Sequence, residues 1–317
     1  MLIHLKKLFS FCILNSMTRI ITYQINEQHK GYSITRFLKE EGFCHQTIVY
    51  LKRTPNGVLL NNNWVHMSEI LQSGDSLTIH WEEPKDSSRI VPVYHPLNIV
   101  YEDEDILVIN KDSNMPVHPS MGNYENTLAN AVMYHYRDSA KHFTFRCINR
   151  LDKDTTGLTI IAKNCQSAGR LSNDVSQRRI KRTYLAIVEG CIQEKGTITA
   201  PIGRKDGSTI ERMVDFENGE HAVTHFWPIS YHEQQNLSLI KLQLETGRTH
   251  QIRVHMKHMG HPLIGDFLYN PDMSHMTRQA LHSYKLEFTH PITHEALSFT
   301  APLPNDMGKL FSLEEIV

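Results

Sequence analysis

The chain has 317 residues, enough for one large domain or two with a substantial core. Its 40% hydrophobic and 21% charged residues are ordinary for a soluble globular protein, and a net charge of −1 excludes binding that rests on whole-chain basicity. Any nucleic-acid reading must therefore stand on local clusters. The five cysteines, Cys12, Cys44, Cys147, Cys165 and Cys191, form no CxxC pair. That argues against a disulfide frame or thiolate zinc site and for a reducing compartment, the cytoplasm.

Residues 1–31 read as an N-terminal extension. MLIHLKKLFSFCILNS carries only a short apolar run with no small-residue cleavage site, so Met17 is expected to be the natural start. No run approaches the roughly 20 apolar residues of a membrane span, and no membrane partner is expected. Residues 32–83 form a small unit. Ser33 caps a helix with Ile34, Phe37 and Leu38 at helical spacing and Gly42 past its end. A second short helix turns Ile48 and Leu51 inward and Lys52 and Arg53 outward. GVLLNNNWV reads as a hairpin with an asparagine turn and GDSLTIHW as a strand.

Residues 84–96, charged and bracketed by prolines, read as a linker, and a larger domain follows over 97–312. DILVIN, LTIIAK (158–163) and RTYLAIVEG (182–190) are its strands, and Ser167 to Gln177 its first helix. VTHFWPISY and NLSLIKLQLE form a hairpin, THQIRVHMKHMG (249–260) is a helix stopped by Gly260, and HSYKLEF and ALSFTAP close the chain. On that helix Ile252, Met256 and Met259 share an inward face, with Arg253 about 100° off it. No repeat of 20–50 residues recurs. The class is α+β, a mixed, mainly antiparallel sheet with helices at its edges.

The front pattern, carried by ITRFLKEEGF, GVLLNNNWV and GDSLTIHW, resembles the αL RNA-binding module of a small-subunit ribosomal protein and of many RNA-modifying enzymes. The resemblance implies phosphate contacts from Arg36, Lys39, Lys52 and Arg53. His45 and Gln46 depart from the more basic residues usual there, which implies weaker phosphate affinity. A solvated basic helix pair is the alternative.

The stretch NRLDKDTTGLTIIAK, from Asn149 to Lys163, carries the chemistry. Asp152 lies in a turn beside Arg150 and Lys153, and fixed positive charge keeps such a carboxylate anionic. An anionic carboxylate is a poor general acid but a competent nucleophile, or a stabiliser of an oxocarbenium-like sugar. Asp154 reads as a turn or cap acid. Taken alone, Asp152 could equally be a surface ion pair, Tyr184 a core strand aromatic and Arg253 a solvated helix arginine.

RLDKDTTGL, KRTYLAIVEG and TGRTHQIRVHMKHMGHPLIGD, in that order and followed by LHSYKLEFTHPIT and SFTAPLP, resemble the RluA-family pseudouridine synthases from about residue 97 to 306. The resemblance implies that Asp152 is the catalytic aspartate attacking the uridine ribose or base. Tyr184 would stack on the base and assist proton removal, Arg253 would pair with the aspartate, and Ile252 would pack beneath the base. Arg150 would fill the space that a flipped uridine leaves, and Arg248 and His250 are secondary substrate contacts. No cofactor is implied, since neither electrons nor bond energy come from outside. RNA, ribosomal before transfer, is the implied partner of a monomer with no obligatory protein partner. Asn149 stands where the family often has His, which removes a titrating group.

Residues 141–190 carry ten Lys and Arg against four Asp and Glu, and Arg178 and Arg179 in QRRIKR are candidate phosphate contacts. Three competing readings remain. His250, His255, His258 and His261 could hold a metal, although HExxH is missing. The protein could be a non-catalytic RNA binder. A glycoside hydrolase would need a second carboxylate placed as proton donor, and none is evident.

Overall fold

The computed structural model describes residues 18–82, 90–138 and 143–312, and it divides into two compact units, one holding residues 18–82 and the other 90–138 and 143–312. The proposed start at Met17 and residues 84–89 of the expected linker lie outside the described residues.

The first unit is a four-stranded antiparallel sheet with two helices. Strand β1 (Thr18–Gln24) pairs along its whole length with β4 (Ser76–Glu82), and β4 also pairs with β2 (Val58–Leu60), which pairs with β3 (Asn63–Trp64). The unit thus takes in residues that the sequence suggested were extension, because β4 would otherwise expose an unpaired edge. Asn61 and Asn62, both at positive φ (51° and 65°), make the β2–β3 turn, a conformation asparagine tolerates. Helix α1 (Ile34–Glu40) is capped by the Ser33 hydroxyl, which accepts from Arg36 N–H at 3.3 Å, and it buries Ile34, Phe37 and Leu38. Helix α2 (His45–Arg53) buries Ile48 and Leu51 and exposes Lys52 and Arg53.

The second unit is built on a nine-stranded mixed sheet. Its strands are β5 (Ile99–Glu102), β6 (Ile106–Lys111), β7 (Thr156–Ala162), β8 (Lys181–Glu189), β9 (Gly196–Thr199), β12 (Val223–His232), β13 (Leu237–Leu244), β14 (Leu281–Thr289) and β15 (Ala296–Thr300). The order runs β5-β6-β7-β14-β8-β13-β12-β9, with β15 on β14, and β7–β14 is the parallel pair. A separate ribbon pairs β10 (Ile202–Arg204) with β11 (Arg212–Val214). The helices are α3 (Leu128–His135), α4 (Cys165–Ser176), α5 (Gln251–His258) and the single turn α6 (Asn305–Gly308). Residues 90–96, expected as linker, belong to this unit instead. Ile90 and Leu97 pack on its core, Val93 N–H donates to Asn130 O at 3.2 Å, and Asn130 Nδ2 donates to Val91 O at 2.8 Å.

Tyr184, Ala186 and Val188 of β8 pack with Ile240 and Leu242 of β13 against Ile252 and Met256 of α5. Met259, expected on that inward face, is exposed: the helix ends at His258, and residue 259 turns out into solvent. α5 is thereby pinned flat on the sheet, with its N-terminus beside the turn before β7.

Candidate active site

That turn is held from below through its backbone. Asn149 is buried. Its Nδ2 donates to Leu158 O at 3.1 Å, its Oδ1 accepts from Ile160 N–H at 2.9 Å, and its carbonyl accepts from Thr159 Oγ1 at 2.8 Å. Both ends of the amide are spent on β7, so it anchors the turn and moves no proton. Thr155 N–H closes the turn onto Asp152 O at 3.1 Å, and Asp154 Oδ1 accepts from Asn114 N–H at 3.1 Å. Gly157 follows at φ +106°, where an added Cβ would lie 2.3 Å from Ser283 O; only glycine lets β7 approach β14 here.

Two buried cations grip consecutive carbonyls of this turn. Lys111, 1% exposed at the end of β6, donates to Lys153 O at 3.0 Å, Met115 O at 2.9 Å and Asp112 O at 2.7 Å. Burial pushes its pKa down to about 7, opposed by the charges of Asp154 and Asp152. Arg278 donates from Nη1 to Asp154 O at 3.2 Å, while its Nε and Nη2 hold Asp306 at 2.6 and 2.8 Å. Sequence reasoning singled out neither residue. Lys111 did leave a signal: it follows Leu107 and Ile109 at strand period two, so it continues the inner face of β6.

Above the turn, the side chain of Asp152 is 27% exposed and that of Arg253 only 2%. Arg253 Nη1 donates to Asp152 Oδ2 at 3.0 Å. Its Nε and Nη2 form a bidentate pair with Asp266 at 2.6 and 2.7 Å, and Asp266 is fully buried. Asp266 also accepts the backbone N–H groups of Leu268 and Tyr269, at 3.1 and 3.2 Å. Burial opposes the guanidinium's charge, yet bonding to Asp266 and the charge of Asp152 carry its pKa above the ordinary arginine value. Asp266 is thus a second carboxylate near Asp152, but it is committed to Arg253 and cannot serve as a glycosidase acid.

His250 stands at the head of α5 in the left-handed region, φ 57°. Its Nδ1 is 2.9 Å from Tyr269 Oη, which accepts Arg212 N–H at 2.8 Å. The other ring nitrogen, Nε2, lies 4.0 Å from Asp152 Oδ2. Burial lowers the pKa of His250, with Asp152 opposing, which favours the neutral ring.

A cavity of about 60 Å³ opens between these groups, lined by Arg150, Asp152, Tyr184, Arg248, His250, Ile252 and Arg253 among others. Tyr184 and Ile252, each 4% exposed, give it an apolar floor with Leu281. Burial raises the phenol's pKa, Arg182 opposing and Asp152 adding. Arg178 and Arg179 do not reach the cavity: Arg178 pairs with Glu245 and Arg179 with Asp174, on the surface side of the turn before β8. Both side chains are 53% exposed, and surface ion pairs of this kind are worth only about 0–1 kcal/mol.

The histidine-rich segment is likewise occupied. His255 bonds Thr224 Oγ1 and Ala200 O, both at 2.9 Å, and His261 bonds Glu189 O at 2.8 Å. Among the described residues the carboxylate–histidine group close enough to share an ion is Asp103, Asp105 and His290. There His290 Nε2 lies 2.9 Å from Asp103 Oδ2, and Asp103 Oδ1 takes backbone N–H groups at 2.7 and 2.8 Å.

Comparison with known proteins fits this geometry. Residues 105–258 match the RNA pseudouridylate synthase family. An RNA pseudouridine synthase of Bacillus subtilis described as uncharacterized, YhcT, is 37% identical over 94% of this chain and 98% of its own. A ribosomal large subunit pseudouridine synthase D of Vibrio cholerae is 41% identical over 76% of this chain and 77% of its own. Among solved structures, human RNA pseudouridylate synthase domain containing 1 superposes with a TM-score of 0.55 at 29% identity, covering 65% of this chain and 83% of that one. The protein is an isomerase that acts on RNA, an RNA pseudouridine synthase. Within that class the chain belongs to the RluA family. Among the described residues no helix is long and apolar enough to cross a membrane.

Proposed function

We propose that Asp152 is the nucleophile of the isomerisation. Its carboxylate joins C1′ of a flipped-out uridine as the C1′–N1 bond breaks, and the electron pair leaves on N1. The detached uracil rotates between Tyr184 and Ile252. C5 then attacks C1′, displacing the carboxylate, which accepts the C5 proton while N1 is protonated from solvent. Tyr184, kept protonated by burial, supplies an aromatic face, and Arg253 aims the carboxylate. Arg150 enters the space the uridine vacates, which offsets part of a flipping cost of about a few kcal/mol. The observation that carries this reading is the 3.0 Å bond from buried Arg253 to the half-exposed Asp152 at the mouth of an apolar-floored cavity.

The substrate we propose is large-subunit ribosomal RNA, in keeping with the printed names of relatives such as that from Vibrio cholerae. The first unit would bind RNA through Lys39, Lys52 and Arg53, all exposed. The enzyme would act in the cytoplasm as a monomer, without a cofactor or obligatory protein partner. Asp152→Asn should abolish pseudouridine formation on RNA from cells lacking the gene and leave RNA binding intact. Turnover at the wild-type rate by that variant ends the nucleophile assignment. Pseudouridine profiling of the same cells, with and without the gene restored, identifies the RNA.

A further inference from the structure

Beside the Asp152 cavity lies a larger one of about 430 Å³, and the two share Arg150 and Arg248. Its other wall is the β10–β11 ribbon, where Arg204 and Arg212 stand directly opposite each other in the antiparallel register. Both residues line the cavity. Like charges paired across strands repel, so the ribbon carries a cost that needs an explanation.

Nearby carboxylates do not relieve it. Glu220 is taken by Arg248. Glu211 is held by Lys205 through both oxygens at 2.9 Å, and Arg212 reaches only the Glu211 carbonyl, at 3.4 Å. Among the described residues the side chains of Arg204 and Arg150 form no hydrogen bond or ion pair. The ribbon that carries Arg204 and Arg212 is nonetheless fixed in place. Ile202 and Val214, on the same face of the ribbon, pack against Val254 of α5, and Arg212 N–H donates to Tyr269 Oη, the hydroxyl that orients His250.

We propose that this cavity is a phosphodiester site. It takes the backbone phosphate of a nucleotide flanking the target uridine, seated between Arg204 and Arg212 with Arg150 at the shared mouth. Paired guanidinium groups suit phosphate oxygens, and an anion between them turns cross-strand repulsion into charge-assisted hydrogen bonds. The inference rests on reading the Asp152 cavity as the uridine pocket, and it adds a separate anchor that positions the strand without reading its sequence.

The test uses the full chain and RNA from cells lacking the gene, with initial rates of pseudouridine formation measured against RNA and potassium chloride concentration. Arg204→Gln with Arg212→Gln should raise KM about tenfold or more, lower kcat much less, and reduce the log–log salt slope by about 1 to 2. Arg204→Lys with Arg212→Lys should recover much of the slope but only part of the KM, because charge returns without the planar fork. Arg137→Gln, exposed in the turn after α3, is the control and should change neither quantity. Wild-type KM and salt slope in the glutamine double variant overturn the proposal. So does inhibition of the wild type, but not of that variant, by uridine 5′-monophosphate with the salt slope unaltered, which would assign the cavity to a free nucleotide. Failure of the wild type itself to form pseudouridine would instead strike the catalytic reading.

Discussion

Replacing Arg253 by methionine separates the fold from the chemistry. In the native protein one guanidinium serves two carboxylates, the buried Asp266 and the half-exposed Asp152. Without it, Asp266 keeps only two backbone donors at 3.1 and 3.2 Å while fully buried. Stranding a buried charge in this way costs about 3–5 kcal/mol, a large part of a typical stability. At about 2–4 °C per kcal/mol, the midpoint of thermal unfolding should fall by about 6–20 °C. Adding Asp266→Asn removes the stranded charge while keeping an acceptor for the same N–H groups, so most of the loss should return. Activity should not return: Asp152 has lost the group that aims it, and kcat should stay down about 100-fold or more in both variants. Thermal melts and pseudouridine formation on the two variants provide the check. A single variant melting within about 2 °C of wild type would refute the buried-pair reasoning. A double variant with restored turnover would refute the aiming role.

Lys111→Met should take a donor from three carbonyls, leaving Lys153 O only the Met115 N–H at 3.1 Å, and destabilise the turn with a pH signature that a packing loss lacks. The lysine's pKa falls from 10.5 to about 7 on folding, so between those values the unfolded chain binds more protons than the native one. Wild-type stability should therefore gain on the variant as pH rises from about 7 to 10, by at most about 1.4 kcal/mol per unit; urea unfolding that shows a constant gap rejects the shift. Gly157→Ala forces a Cβ to within 2.3 Å of Ser283 O at a φ of +106° and should cost about 2–4 kcal/mol, an effect that a neutral urea midpoint would exclude. Arg178→Gln and Arg179→Gln, whose charges are already paired, should alter KM for RNA less than Arg204→Gln does; an equal rise would mean RNA displaces Glu245 and Asp174.

Much of the fold was legible because its signals are local. Alternation in VTHFWPISY and NLSLIKLQLE gave the β12–β13 hairpin, and Ser33 with Gly42 bracketed α1. What escaped was decided at long range. β1 contains no turn or cap signal, and it is a strand because β4, more than fifty residues later, offers it an edge. Residues 90–96 carry linker composition, yet Asn130 on α3 captures the carbonyl of Val91. Met259 fits the apolar period of α5 and still faces solvent, because periodicity says nothing of where a helix leaves its sheet.

The site divides along the same line. Asp152, Tyr184 and Arg253 could be picked out because each lies in a motif whose family pattern names it, and the structure brings all three to one cavity. The groups that hold them carry no motif: Asp266 lies 13 residues past Arg253, Arg278 more than a hundred past Asp154, and Lys111 more than forty before Lys153. They act through backbone carbonyls or as the far side of a shared guanidinium, contacts that a sequence does not spell out. The like-charged pair at Arg204 and Arg212 shows the same limit from the other side. They lie eight residues apart with no motif to join them; only the register, which sets them face to face beside the reaction cavity, makes their repulsion informative.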